Sequence, residues 1–312
     1  MLDLPTTMTQ DDCTSFATVA NARLNSRTIL SQHGISDSRL EADLLVCHAA
    51  GLSRLELLLE PERRLSAEQV ARLRRFLSRR LTREPIPYIV GASEFYGIEL
   101  HVDPRVLIPR PETELLVERA IDVANRLKAG GIERPVIADI GTGSGCIAIA
   151  LAMNLPQAQM YAVDISADAL EVARTNCKRY SLSKRVSLLH GDLMEPLPEP
   201  AHIVTANLPY VEASELPRLA KEISFEPRKA LDGGQDGLAS IRRLLAQMPT
   251  KAFPESTVLL EVGFGQAPSV AELARALYPE SLIREYKDLS GIERVLSVET
   301  FITPHIIRAA SG

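Results

Sequence analysis

The chain reads as an α/β protein in which a small helical segment and a β-hairpin precede a mostly parallel sheet. Three observations carry that reading. From Val136 onward, apolar runs of strand length alternate with helical stretches, the pattern of parallel strands covered on both faces. Before Pro85 there are no long β-branched runs, and S-x-x-E/Q helix starts precede apolar residues at helical spacing. Between the two regions, "SEFYGIELHVDPRVLIPRPETE" alternates around Gly97 as a hairpin does. A chain of 312 residues accommodates two domains at roughly 150 residues each. The expected boundaries are 1–85 for a helical bundle, 86–110 for a hairpin linker and 111–312 for the α/β domain.

In the bundle, Ser38-Arg39-Leu40-Glu41 and Ser66-Ala67-Glu68-Gln69 both match the capping box. Gly34 and Gly51 fall where helix ends call for a left-handed residue. The helix that starts near Ser66 is expected to carry Arg72, Arg74, Arg75, Arg79, Arg80 and Arg83. Such a face is either solvated or a docking surface for an acidic partner or RNA. Pro85 and Pro87 end the bundle. Pro111 suits the first turn of a helix, and Glu112 and Glu114 sit where the helix dipole favours acids. That helix runs to about Lys128 and stops at Gly130-Gly131.

The α/β part reads as "VIADI", a helix over 146–153, "MYAVDI", a helix over 167–180, "VSLLHGD" and "HIVTAN". A helix near 238–247, "TVLLEVG", a helix near 269–277, "LIREYKD" and "RVLSVE" follow. The last two runs flank "LSGIE", which is too short for a helical crossover, so the final strand is expected antiparallel at or near one edge.

Composition excludes several classes of function. A net charge of −5 weighs against a protein built mainly to grip phosphate backbones. No run approaches the ~20 apolar residues of a membrane span. "MLDLPTTMTQDDC" has neither a basic start nor an apolar core, so the expected compartment is the cytoplasm. Cys13, Cys47, Cys146 and Cys177 form no C-x-x-C pair, and the histidines show no ligand spacing, so no metal is expected.

The chemistry gathers at strand ends. The first strand runs into Asp139-Ile140-Gly141-Thr142-Gly143-Ser144-Gly145, more glycine than a plain turn needs. A dinucleotide site would read G-x-G-x-x-G, and here the third glycine comes one residue early, after an acid. The second strand ends at Asp164, where a carboxylate can accept ribose hydroxyls in either kind of nucleoside site. Asp192 and Leu193 follow the third strand, where Asp192 is either a turn acid or a partner for an adenine amine, with Leu193 over the ring face. The fourth ends in Asn207-Leu208-Pro209-Tyr210. Switch-point logic puts all four ends on one crevice.

The glycine loop resembles motif I of the class I S-adenosylmethionine methyltransferases, and Asn-Leu-Pro-Tyr resembles the (D/N)PPY motif of those acting on planar nitrogens. Together with "FYGIELHVDPRVLIPRPETELLVE" and "FEPRKALDGGQDGL", the chain resembles the HemK/PrmC family from about Pro85 to the last strand. That resemblance implies a Rossmann-like methyltransferase sheet behind a substrate-docking bundle. It also implies transfer of a methyl group from S-adenosyl-L-methionine, leaving S-adenosyl-L-homocysteine, to the side-chain nitrogen of a glutamine in peptide chain release factors.

On this reading Gly141, Thr142, Gly143, Ser144, Gly145, Asp164, Asp192, Leu193 and Asn207 hold the cofactor. The Asn207 side-chain oxygen and the Leu208 carbonyl grip the substrate amide, with Pro209, Tyr210 and Phe95 walling the slot. Arg110 and Glu112 either close over the cofactor or cap a helix. The family's second motif residue is proline. Leu208 keeps the carbonyl and gives up the fixed φ. "DGGQDG" contains Gly-Gly-Gln, so Gln235 is either a turn residue or a self-modification site. Three rival functions stand beside this one: a methyltransferase on base amino groups in DNA or RNA, an NAD-dependent oxidoreductase, and a SAM-binding module without activity.

Overall fold

The computed structural model describes residues 16–301; the amino-terminal "MLDLPTTMTQDDC", with Cys13, lies outside them. The chain divides into two compact units. The first takes the chain up to Gly91 together with Lys221–Phe225, and the second takes Ala92–Ala220 and the chain from Glu226. No helix among the described residues is long and apolar enough to cross a membrane.

The first unit packs α1 (Val19–Gln32), α2 (Ser38–Ala50), α3 (Arg54–Leu59), α4 (Ala67–Leu81) and α5 (Ile86–Val90) around one apolar core that includes Leu30, Leu45, Leu73 and Leu77. The Ser66–Gln69 capping box forms as expected. The Ser38–Glu41 box does not: Asp37 is the N-cap, so Ser38 is already in the first turn and the reciprocal bonds cannot close. An unforeseen box closes at Ser53–Glu56 instead. Gly34 and Gly51 do take left-handed φ, +70° and +67°.

Several of the arginines in and just past α4 are engaged within the unit, while Arg75 is exposed. Arg79 forks onto Glu84 and the carbonyls of Tyr88 and Ile89. Arg72 reaches Glu68 and the Ala49 carbonyl. Arg83 binds Glu222 and the carbonyls of His33 and Gly34. Arg80, its side chain 6% exposed, joins Glu41 at 2.7 Å and Glu222 at 3.2 Å. Removing one partner of a buried ion cluster leaves the others unpaired, which costs roughly 3–5 kcal/mol when all are buried. Glu222 is 31% exposed, so Arg80→Ala should cost less, about 2 kcal/mol. Hydrogen exchange of α4 amides in the intact chain measures that loss.

The second unit opens with a hairpin of β1 (Ala92–Phe95) and β2 (Ile98–His101). Tyr96 and Gly97 turn it with φ of +50° and +73°, the signature of a tight two-residue loop. A 3₁₀ turn over Pro111–Thr113 then feeds α6 (Glu114–Ala129), which stops at Gly130. Next come β3 (Val136–Ile140), α7 (Cys146–Asn154), β4 (Gln159–Asp164), α8 (Ala167–Arg179), β5 (Val186–His190) and β6 (Ala201–Ala206). The unit closes with α9 (Ala239–Lys251), β7 (Ala252–Glu261), α10 (Ala267–Leu277), β8 (Leu282–Lys287) and β9 (Glu293–Phe301).

Among the described residues, seven of these strands form one sheet in the order β5-β4-β3-β6-β7-β9-β8. β5 to β7 run parallel, and β9 lies antiparallel between β7 and β8, so the expected reversal sits one strand in from the edge. Successive residues of β3 feed opposite faces. Val136, Ala138 and Ile140 join one apolar cluster and Ile137 the other. α7 is apolar on every side because sheet and helices enclose it, with Cys146 to Ala152 all buried. The chain leaves β3 toward β4 on one side and reaches β6 on the other, so a crevice opens between the ends of β3 and β6.

Candidate active site

A cavity of ≈ 770 Å³ occupies that switch point. Its floor is the glycine loop between β3 and α7. Gly141 and Gly143 hold φ of +73° and +55°, and a Cβ on Gly143 would meet nothing within 4 Å. Main chain is therefore laid bare to a ligand there. The loop is pinned from below by Asp139, fully buried, which accepts from the hydroxyls of Thr142 at 2.6 Å and Thr205 at 3.0 Å. Burial pushes that carboxyl up to about 6 even though both hydroxyls favour its charge.

Asp164 ends β4 and is tied by two backbone amides, Gly143 N and Ser166 N, each 2.8 Å away. The carboxylate is thereby held at the cavity wall with lone pairs left over for a diol. Burial raises its pKa, against the backbone hydrogen bonds. Asp192 accepts a hydrogen bond from Arg243 of α9, so the acid placed for an adenine amine already has a cationic partner. Leu193 beside it has φ +51°, costly for a residue with a Cβ, and the side chain lines the cavity.

Past β6, the Asn207 Nδ2 donates to Thr113 Oγ1 at 3.1 Å. Its oxygen is the end left to accept. The Leu208 side chain turns inward and is buried, and a Cβ on Gly141 would come within 3.0 Å of its Cδ2. Leucine thus packs under the glycine loop at the position where the family pattern has proline. Tyr210 is fixed through its carbonyl, which accepts from Gln266 Nε2 at 2.9 Å. Its neighbour Val211 bridges to Asp232, with Gly233 N donating to the Val211 carbonyl at 2.8 Å. The Gly-Gly-Gln segment is thus a cradle under the motif loop. Burial pushes the Tyr210 phenol up to about 12, helped by Glu261.

Of the residues singled out in the sequence, Gly141, Thr142, Gly143, Ser144, Asp164, Asp192, Leu193, Asn207, Leu208, Pro209 and Arg110 all line this cavity. Gly145, Glu112, Tyr210 and Phe95 do not. Gly145 starts α7, and a Cβ there would meet Ala173 at 3.3 Å. Phe95 is 1% exposed and belongs to the core under α6. Arg110 makes no side-chain cap; it binds Glu226 at 2.5 Å, and that carboxylate also accepts from Ile108 N. Thr113, Glu226, Gln266, Arg243 and Glu261 were missed. A signal existed for Glu261 alone: like Asp139 and Asp164, it is an acid closing an apolar strand.

The chemistry of the donor set fits S-adenosylmethionine. A carboxylate able to accept a diol, Asp164, lines the cavity together with apolar Ile140, Val163, Ile165 and Leu193 and the glycine loop. Arg105, Arg110, Arg228 and Arg243 also line the cavity, but each is paired with a carboxylate: Asp103, Glu226, Asp232 and Asp192. Most of the cationic charge at the rim is thereby balanced, Lys229 being a further lining cation.

Comparison with known proteins agrees with this geometry. Residues 7–91 match the PrmC N-terminal domain and residues 137–225 a methyltransferase domain. A release factor glutamine methyltransferase of Geobacter sulfurreducens is 38% identical over 274 residues, 87% of this chain and 93% of that protein. One from Moorella thermoacetica is 40% identical over 266 residues, 85% of this chain and 92% of its own. The catalytic domain of hMettl16, solved with an RNA hairpin, superposes with a TM-score of 0.54 at 14% identity, over 78% of this chain and 86% of that one. That likeness concerns the fold alone. With two relatives matched over nearly their whole length and the motif loop folded at the switch point, the chain belongs to the release factor glutamine methyltransferase family.

Proposed function

We propose that this protein methylates the side-chain amide nitrogen (N5) of the glutamine in the Gly-Gly-Gln motif of a peptide chain release factor, using S-adenosyl-L-methionine. One observation carries the reading: Asn207 is held at the cavity wall with its NH₂ engaged by Thr113 and its oxygen unengaged. Bound S-adenosylmethionine supplies an electrophilic methyl group on a sulfonium that is already a good leaving group.

The chain's own task is to aim a poor nucleophile. An amide nitrogen shares its lone pair with the carbonyl, so it reacts only when its plane is fixed and its developing charge is met. Asn207 Oδ1 accepts one substrate N–H and the Leu208 carbonyl the other, which turns the π face of the nitrogen toward the methyl donor. Both acceptors gain strength as positive charge grows on nitrogen, so they favour the transition state over the ground state. No base is needed beforehand, and the proton leaves to water after transfer. Tyr210, half-buried and kept neutral by a raised pKa, follows the two acceptors in the motif loop.

The helical unit, residues 1–85 in this reading, docks the release factor, and the methyl transfer belongs to residues 111–312. Leu55, Leu58 and Leu59 support a docking role: they lie on one side of α3 and are 65%, 61% and 70% exposed. The site of action is the cytoplasm, with the translation machinery, and no sequence-specific nucleic acid contact is required.

The deciding experiment incubates the protein with methyl-labelled S-adenosylmethionine and a release factor, then maps the label by peptide mass spectrometry. Label on the Gly-Gly-Gln glutamine, absent when that glutamine is changed to alanine, is the expected result. Label on co-incubated DNA or RNA and none on the release factor would overturn the proposal.

A further inference from the structure

Glu261 ends β7 and is 3% exposed, and Thr113 of the 3₁₀ turn before α6 is 2% exposed. The Thr113 hydroxyl lies 2.6 Å from Glu261 Oε2 and 3.1 Å from Asn207 Nδ2. Charged and titratable groups face this carboxyl from several elements: Glu112 and Arg110 from the segment before α6, Arg294 from β9, Tyr210 from the motif loop and Cys146 from α7. The two arginines are each bound elsewhere, Arg110 to Glu226 and Arg294 to Asp288. Thr113 therefore makes the direct side-chain hydrogen bond to this buried acid. Burial of such a group is expensive unless it is hydrogen-bonded, which makes the Thr113 contact the one that matters.

We propose that Thr113 and Glu261 are positioning residues that set which end of the Asn207 amide faces the substrate. This rests on Asn207 acting as the amide clamp described above. An ionised carboxylate only accepts, so it takes the single proton of the Thr113 hydroxyl. The hydroxyl then has only lone pairs to offer Asn207, which must turn its NH₂ inward and its oxygen toward the cavity. A protonated Glu261 removes the constraint. Its O–H can donate to Thr113, whose own proton is then free to reach Asn207 Oδ1, and the amide can rotate into the orientation that repels a substrate N–H. Proton occupancy at a strand end thus selects the polarity of a group on a different strand. Burial pushes the Glu261 carboxyl up to about 7, with Thr113 opposing, so the selection falls in the neutral range.

The test compares kcat against pH for the wild type, Thr113→Val, Thr113→Ser, Glu261→Gln and Asn207→Ala, with cofactor affinity as the check on folding. Wild-type kcat should rise with pH through one group near neutrality. Thr113→Val should lose roughly 10- to 100-fold in kcat, short of removing an oriented polar group outright, and Thr113→Ser should recover most of it. Glu261→Gln, which keeps size and removes the proton switch, should be slower by about tenfold with that rise gone. If Thr113→Val no longer binds cofactor, the Glu261→Gln pH profile decides. If Asn207→Ala is inactive while Glu261→Gln keeps the wild-type rate and profile, the relay is wrong and the clamp survives. If Asn207→Ala keeps the wild-type rate, clamp and relay both fall.

Discussion

Asn207→Ala should lower kcat by at least 10²- to 10³-fold, about 3–4 kcal/mol of barrier, while cofactor affinity stays within about twofold. The size follows from where the side chain sits. Its amide is anchored by Thr113 and stands at the cavity wall, whereas the groups proposed to hold the cofactor, Gly141, Gly143 and Asp164, belong to the ends of β3 and β4. Removing the oxygen deletes an acceptor whose value grows as charge appears on the substrate nitrogen, so the loss concentrates in the transition state. Asn207→Asp is a sharper comparison. The carboxylate keeps an acceptor toward the substrate but puts a second oxygen where Thr113 has only lone pairs to give. It should therefore remain well below wild type. Single-turnover rates with saturating release factor, set beside calorimetric binding of S-adenosylhomocysteine, separate chemistry from binding. Loss of both in the same proportion would mean a collapsed cavity rather than a missing acceptor.

Periodicity and strand ends made much of the second unit legible. Runs such as "VIADI" cannot alternate inside and outside because both faces are covered, and the acid, glycine or amide at or just past their ends marks the carboxyl edge where ligands bind. Local signals were weaker in the helical unit because several competed at single-residue spacing. Asp37 and Ser38 are both good N-caps, and Glu41 three residues past Ser38 suggested the wrong one. Pro85 and Pro87 read as terminators, yet proline suits a first turn, and α5 forms across Pro87. The arginines of α4 could not be read at all. Arg80 is 39 residues from Glu41 and 142 from Glu222, and no sequence window spans such a pairing.

The same limit divides the site. Groups that a strand end delivers on its own, Asp164 and Asn207, were readable. Groups that act through another element were not, since Thr113 and Asn207 are 94 residues apart and Thr113 and Glu261 are 148 apart. Phe95 shows the opposite error. An aromatic in a quoted motif invites a role at the slot, whereas alternation along a hairpin strand with one buried face sends that side chain into the core.

Gly237→Ala should lower kcat by about 10²-fold, although Gly237 is absent from the cavity lining. Gly237 holds φ +72°, and a Cβ there would lie 2.4 Å from the Tyr210 carbonyl oxygen and 2.5 Å from Gln266 Nε2. Neither group can yield cheaply. The carbonyl belongs to the motif loop, and Gln266 is held at its other end by Gly263 N at 2.9 Å. Relief requires the loop to move by about an ångström, and displacement on that scale removes the alignment on which an oriented transfer depends. The left-handed backbone adds roughly 1–2 kcal/mol of strain for any residue with a Cβ. Gly265→Ala isolates that second contribution, because Gly265 also has positive φ, +76°, but a Cβ there would meet nothing within 4 Å. Gly265→Ala should therefore lose stability with little loss of kcat, while Gly237→Ala loses both. Equal kcat in the two variants would show that the close packing of Gly237 does not hold the Tyr210 loop in its working position.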